Sequence, residues 1–467
     1  MKTIIKKLGA ITAALMIALC AGCSSDKNNS SDGSSGANVS DSGSQSGGSQ
    51  DSGSSSADES SASESGSSAP EAPPADSNPE EWHELSQTEM TAAMGAGWNL
   101  GNQLEAVSGQ TPDEKAWSNP VITEELLKLV KEQGFKTVRI PVSYFAHIGE
   151  GPDYTINKDW LNRVREVVDY VIGNDMYAII NIHGDGYYTM LESGAWLLCA
   201  EPAEKQAEIK AKYEAVWRQI ADCFKDYDEH LIFESMNEEF DGQYGGPNAE
   251  AYANINAYNQ IFVDTVRKTG SNNTKRWLLV PGWNTNIMQT VGDYGFEIPN
   301  DTLCEADGKR IMISVHYYDP YNFTINEDAN AAKTQWGQYA VENAEKTANE
   351  AYVSTLFGRL NEKFVSQGYP VVIGEMGVGD KSSLDPSHSE FRRYWYEVVV
   401  SAAKQNGCIP VCWDNGWTGK NGLSFFNRWN LTVTQPEIIE GVMRAINADG
   451  EYEIPAPVIA EGEENAA

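Results

Sequence analysis

The feature that most restricts how this chain can fold is a repeating alternation, from Glu81 onward, of short apolar runs with longer amphipathic stretches. The short runs fall at residues 95–100, 137–140, 177–182, 231–234, 277–280, 310–315, 371–373 and 409–412. Their apolar residues are consecutive rather than alternate, so each reads as a strand buried on both faces, as in a parallel sheet covered by helices. Amphipathic stretches of helical length lie at 123–133, 158–172, 205–224, 250–268, 351–367, 390–405 and 436–446. Eight strand candidates, in about 250 residues plus insertions, predict an α/β fold of the (β/α)8 TIM-barrel type rather than an open doubly wound sheet. Residues 282–309 carry no obvious fifth helix, and 319–350 form a second long excursion. In a barrel, both belong at or beside the carboxyl-end face, where they wall a groove.

The first fifth of the chain is of another kind. Lys2, Lys6 and Lys7, an apolar run over 8–19 and the small residues Ala21 and Gly22 predict a secretory signal at 1–23, too short to span a bilayer. Its end, LCAGC, resembles a bacterial lipoprotein signal in which Cys23 is lipidated and becomes the first mature residue, with Cys20 standing where that pattern prefers Leu. Residues 24–80 are rich in Ser, Gly, Asp and Pro and cannot bury enough apolar surface to offset their chain entropy. They are expected to be a disordered linker. The expected organisation is therefore a signal at 1–23, a linker at 24–80, a folded domain at 81–455 and an acidic tail at 456–467, located outside the cell and tethered to the outer face of a bacterial membrane.

A formal net charge of −33 excludes nucleic acid and anionic membrane surfaces as partners and favours a neutral ligand. Membrane contact is expected only through a lipid on Cys23, and the folded domain is expected to be a monomer. Beyond Cys20 and Cys23 the cysteines are Cys199, Cys223, Cys304, Cys408 and Cys412, an odd number without zinc-type spacing. Cys408 and Cys412 read as small core or barrel-lining residues, and a disulfide is left open. No cluster has metal-ligand spacing and no Gly-rich loop reads as a phosphate site, so no metal and no cofactor are expected.

If the strands are placed correctly, polar residues gather at their carboxyl ends: Arg139, His183, Asn237 with Glu238, His316 with Tyr318, Glu375 and Trp413. A parallel barrel brings these ends to one mouth whatever their separation in sequence. Two carboxylates facing each other there suit glycosidic bond cleavage, in which one is protonated to assist the leaving oxygen and the other stays ionised. Glu375, beside Arg139 and Tyr318, is expected to have a depressed pKa and to be the nucleophile. Glu238, raised by burial and by its negative neighbour, is expected to be the acid and then the base. Glu234 reads as support for these groups and Glu239 as a solvated rim residue. His147, His230 and His388 read as surface or loop residues. Of Trp98, Trp117, Trp196, Trp283 and Trp417, the last two are chosen as sugar-stacking platforms. A surface lipoprotein that captures oligosaccharides without cutting them is the reading from another class, and it has no need of paired carboxylates.

At these residues the chain resembles the catalytic domain of glycoside hydrolase family 5 of clan A, and within it the bacterial endo-β-1,4-glucanases of subfamily 4. The resemblance runs over about 82–448 through GWNLGNQLEA from Gly97, GFKTVRIPVSYFAHIG from Gly134, NIHGDG from Asn181, ESMNEE from Glu234, HYY from His316, IGEMG from Ile373 and CWDNG from Cys412. It implies Glu238 as acid/base, Glu375 as nucleophile and Asn237 as the residue that binds the sugar 2-hydroxyl. It further implies that Arg139 and Tyr318 orient the nucleophile, that His183 and His316 contact the sugar or the acid/base, and that Trp413 stacks under the ring. Many members carry a second histidine where this chain has Gly184, with Tyr187 or Tyr188 as substitutes, and Gln103, Leu104 and Glu105 replace the usual Ser or Thr, Leu and Asp. The implied activity is that of a retaining endo-acting β-1,4-glucanase, or cellulase, that works through a covalent glycosyl-enzyme intermediate on soluble or amorphous β-glucan. Xyloglucanase, xylanase and mannanase are the alternatives.

Overall fold

Apolar runs that cannot be solvated on either face need a sheet covered on both sides, and in the computed structural model of the chain that sheet closes on itself. The structure describes residues 82–239, 246–450 and 452–459. The signal with Cys23, the linker and most of the acidic tail lie outside the described residues. Eight strands form the barrel: β1 (Gly97–Asn99), β2 (Thr137–Ile140), β3 (Tyr177–Asn181), β4 (Leu231–Glu234), β5 (Leu278–Asn286), β6 (Ile311–Tyr317), β7 (Val371–Met376) and β8 (Cys408–Cys412). Each pairs in parallel with its sequence neighbour, and β1 closes the ring against β8. This is the (β/α)8 TIM barrel that the alternation predicts.

The outer layer is made by α2 (Glu124–Glu132), α3 (Lys158–Ile172), α4 (Ala203–Phe224), α5 (Ala249–Lys268), α8 (Glu350–Lys363), α9 (His388–Gln405) and α10 (Pro436–Asn447). Asn157, Asn248 and Asn349 cap α3, α5 and α8 by accepting backbone N–H groups of the first turn, which explains where these helices begin. The fifth helix is reduced to α6 (Ile287–Val291), and the long excursion after β6 holds only the single turn α7 (Tyr321–Thr324). β5 is longer than its apolar run and carries Trp283 into the interior.

Strand alternation divides the core in two. Outward residues such as Val138, Ile180 and Phe233 pack against the helices, while Tyr177, Ile179, Ile232, Leu279, Met312 and Val372 point into the barrel. One element was not foreseen: α1 (Gln87–Met94), which closes the amino-terminal end of the barrel. It inserts Met90 and Met94, one turn apart, among the inward residues, and Thr137 donates to the Met94 carbonyl at 2.7 Å. A reciprocal Ser86–Glu89 capping box starts it. With the floor filled by α1, the barrel interior opens at its carboxyl-end mouth.

Candidate active site

At the mouth, the inward positions of the barrel turn polar. Asn99 and Arg139 are register partners on β1 and β2, and Asn181 and Glu234 are partners on β3 and β4. Arg139 is fully buried and donates to four acceptors: Nε to Glu234 Oε2 at 2.7 Å, Nη1 to Asn99 Oδ1 at 3.0 Å and to Glu375 Oε1 at 2.9 Å, and Nη2 to Asn237 Oδ1 at 2.6 Å. Burial works against its charge, but Glu234 and Glu375 outweigh that and raise its pKa. Glu234 is held on the other side by Asn181 at 3.0 Å and by the Ser314 hydroxyl at 2.7 Å. It supports the site as expected and lies one layer below the mouth.

Glu375 occupies a bend in β7, where the pairing register shifts after Ile373 against both β6 and β8. Such an irregularity re-aims a side chain. Gly374 makes room there, since a Cβ at that position would lie 3.2 Å from the His316 ring. The Tyr318 hydroxyl donates to Glu375 Oε2 at 2.9 Å, and burial keeps that phenol protonated by pushing its pKa up. Burial, the largest influence, also pushes the Glu375 carboxyl above its ordinary value, with Arg139 and Tyr318 pulling the other way. The expected depression is thus reversed, because the loss of water outweighs the ion pair.

Glu238 lies opposite. His316 Nδ1 is 2.7 Å from Glu238 Oε1 and 3.7 Å from Glu375 Oε2, and the three groups present atoms all within 4.8 Å of one another. Burial, then the charge of Arg139, pushes the His316 imidazole well below its usual pKa, so it is neutral and shares a hydrogen bond with Glu238 while lying beside Glu375. His183 is held neutral for the same reasons. Its ring lies parallel to that of Trp413, at 7° with centroids 6.1 Å apart. Tyr187, which follows the site of the missing second histidine, accepts from Asn237 Nδ2 at 2.6 Å and sits 3.4 Å from His183 Nε2. All the site residues expected from the strand ends are therefore brought together.

These groups open into a cleft lined among others by Trp117, Tyr187, Glu238, Glu375, Lys381 and Trp413. Several expectations are corrected. Trp283 is fully buried against Tyr252 and is no platform, because β5 runs on past it. Glu239 is buried and packs against Gly186 rather than standing in solvent. His388 is buried at the start of α9, its ring between the carbonyls of Thr334 and Gly379. The described cysteines are free thiols, with Cys408 and Cys412 buried.

Sequence reading missed Asn99, which donates to the Gly374 carbonyl at 2.8 Å and accepts from Arg139, although its place at a strand end was a sufficient signal. It also missed Lys381, whose buried ammonium donates to the carbonyls of Phe323 and Thr324 beside the cleft. Glu105 lines the same cleft, is pushed up to about 7 by burial and accepts the backbone N–H groups of Asn102 and Gln103.

Comparison with known proteins agrees with this geometry. Residues 92–419 match the family model for cellulase (glycosyl hydrolase family 5). The chain is 51% identical to Endoglucanase A of Paenibacillus barcinonensis over 372 residues, covering 78% of this chain and 92% of that one. Among solved structures, it is similar to a family 5 xyloglucanase from Paenibacillus pabuli, with 53% identity, a TM-score of 0.74, and coverage of 76% of this chain and 99% of that one. It is also similar to a GH5-4 broad specificity endoglucanase from Bacteroides salanitronis, with 38% identity, a TM-score of 0.72, and coverage of 79% and 97%. The chain belongs to glycosyl hydrolase family 5, the cellulase family, and is a glycoside hydrolase.

Proposed function

We propose that the chain is a retaining endo-β-1,4-glucanase of subfamily 4 in which Glu375 is the nucleophile and Glu238 the acid/base. The observation that carries this is the close pairing of the two carboxyls, with oxygens within 4.8 Å. Retaining glycosidases hold the pair about 5–5.5 Å apart, whereas inverting ones leave about 6.5–9.5 Å for a water. Two negative charges this close and this buried are disfavoured, so the pair carries one proton. Arg139 and Tyr318 touch Glu375 directly and place the negative charge there, which leaves the proton to Glu238 beside neutral His316.

Glu375 attacks the anomeric carbon while Glu238 gives its proton to the departing glycosidic oxygen. A covalent glycosyl-enzyme forms, and Glu238 then takes a proton from the water that releases it. Asn237, fixed by Arg139 and Tyr187, presents its amide to the 2-hydroxyl, and Trp413 supports the ring. Glu375→Gln is expected to abolish release of reducing sugar from a β-glucan with the fold retained by circular dichroism. Azide should restore part of the activity of Glu238→Ala on an activated aryl cellobioside. Undiminished hydrolysis by the first variant would sink the assignment.

Xyloglucan is the second reading, favoured by the 53% identity to the Paenibacillus pabuli xyloglucanase. A panel of unbranched glucan, xyloglucan, xylan and mannan, with product sizes recorded, decides between them. We further propose that Cys23 carries a lipid and holds a monomeric enzyme on the outer face of the cell. The LCAGC stretch and the Ser/Gly/Asp linker support this, and release of the Cys23→Ala chain into the medium is the test.

A further inference from the structure

Among the described residues three tryptophans stand out in water: Trp117 at 37% exposure, Trp417 at 59% and Trp429 at 70%. Large aromatic rings left in solvent forfeit the main stabilisation they can provide, and an exposed apolar cluster marks a binding surface. Trp117 is far in sequence from Trp417 and Trp429, but the three share one root. Gly416, next to Trp417, packs so closely that a Cβ there would lie 2.5 Å from Asn119 Oδ1 and 3.1 Å from Arg428 Nη1. Its φ of +72° also demands glycine. Asn119 follows Trp117 by two residues and Arg428 precedes Trp429, so the three rings spring from a single junction of the loops after β1 and β8.

The junction is rigid and continuous with the cleft. Arg428 donates to the Gly101 carbonyl and to both the carbonyl and Oδ1 of Asp414. Trp417 is tied at both ends, its backbone N–H to Asn415 Oδ1 at 3.1 Å and its indole N–H to the Lys420 carbonyl at 3.0 Å. Asn415 and Trp117 both line the cleft. Trp429 stands at the turn of the hairpin that pairs Phe426–Asn427 with Thr432–Val433, its N–H held by Asn427. The Trp417 ring is fixed at its edge by the indole hydrogen bond and Trp429 at its backbone, and both rings stay exposed, a surface suited to the C–H face of a pyranose.

We propose that Trp417 and Trp429 form an aromatic ledge that carries the cleft outward from Trp117 and binds sugar units of a long β-glucan chain lying beyond the reacting ones. The ligand class is a neutral polymer, in keeping with the acidic chain, and the proposal rests on the β-glucanase reading above.

The test is the double variant Trp417→Ala/Trp429→Ala in the full chain. In a Glu375→Gln background, affinity electrophoresis through gels containing neutral mixed-linkage β-glucan reads binding without cleavage, and the apparent Kd should rise about tenfold. With Glu375 intact, KM for the polymer should rise by a similar factor at unchanged kcat, while kcat/KM on an aryl β-cellobioside stays within about twofold. Trp417→Phe/Trp429→Phe should recover most of the polymer affinity, which a merely structural role would not predict. Polymer binding equal to the parent overturns the ledge, and so does an equal loss on polymer and cellobioside. A parent enzyme that cleaves no β-glucan would overturn the activity itself, and the electrophoresis would still decide the ledge.

Discussion

Arg139 shows how one residue organises the mouth. Its guanidinium is shared by Glu234, Glu375 and Asn237, so the charge that steadies Glu375, the proposed nucleophile, also fixes Asn237, which is proposed to bind the 2-hydroxyl. Glu234 is the counterweight, fully buried and accepting from Arg139, Asn181 and Ser314. Glu234→Gln removes half of a buried ion pair and is expected to lower unfolding stability by about 3 kcal/mol. It should also reduce kcat far more than it changes KM, since Glu234 lies below the cleft. Urea denaturation and steady-state kinetics on β-glucan check both. Residue types at strand ends were legible from sequence because each follows a recognisable apolar run. The state of Glu375 was not, since its pKa depends on how completely water is excluded by residues from six strands and their loops.

The elements were legible where local period was strong. α3 and α10 lie within a residue of their expected bounds, each with a continuous apolar stripe and a clear start. α1 was missed because only Met90 and Met94 mark its buried face, too sparse a pattern to read. Its role is to plug the barrel, so Met90→Ala is expected to cost about 2–5 kcal/mol in urea denaturation while leaving KM unchanged. α9 carries a pH dependence. Burial, then the charges of Lys381 and Arg392, pushes the His388 imidazole from 6.5 down to about 4. A group whose folded pKa is depressed in this way stabilises fully above its unfolded value and loses that contribution as pH falls toward the folded one. Stability should therefore drop between pH 6.5 and about 4, by at most about 3 kcal/mol from this residue. Unfolding midpoints at pH 7 and pH 4.5 should differ less in His388→Asn than in the parent.

For the whole molecule the relevant quantity is charge. A net charge of −33 repels anionic polymers and leaves neutral ones unaffected. Raising NaCl from about 20 to about 300 mM shortens the Debye length. It should lower KM for carboxymethyl cellulose severalfold and leave KM for a neutral β-glucan unchanged, as initial rates in the two salts would reveal.

Strand order, the closed barrel and most of the residues at its mouth follow from the sequence alone. Hydrophobic period is local, and a parallel barrel sends every carboxyl end to the same face. Which tryptophans meet solvent, that Glu239 and His388 are buried, and that Glu375 is raised rather than lowered were decided by the tertiary structure. Exposure and desolvation are set by what distant segments pack against one another, as Asn119, Gly416 and Arg428 do beneath three tryptophans, and no window along the chain contains that information.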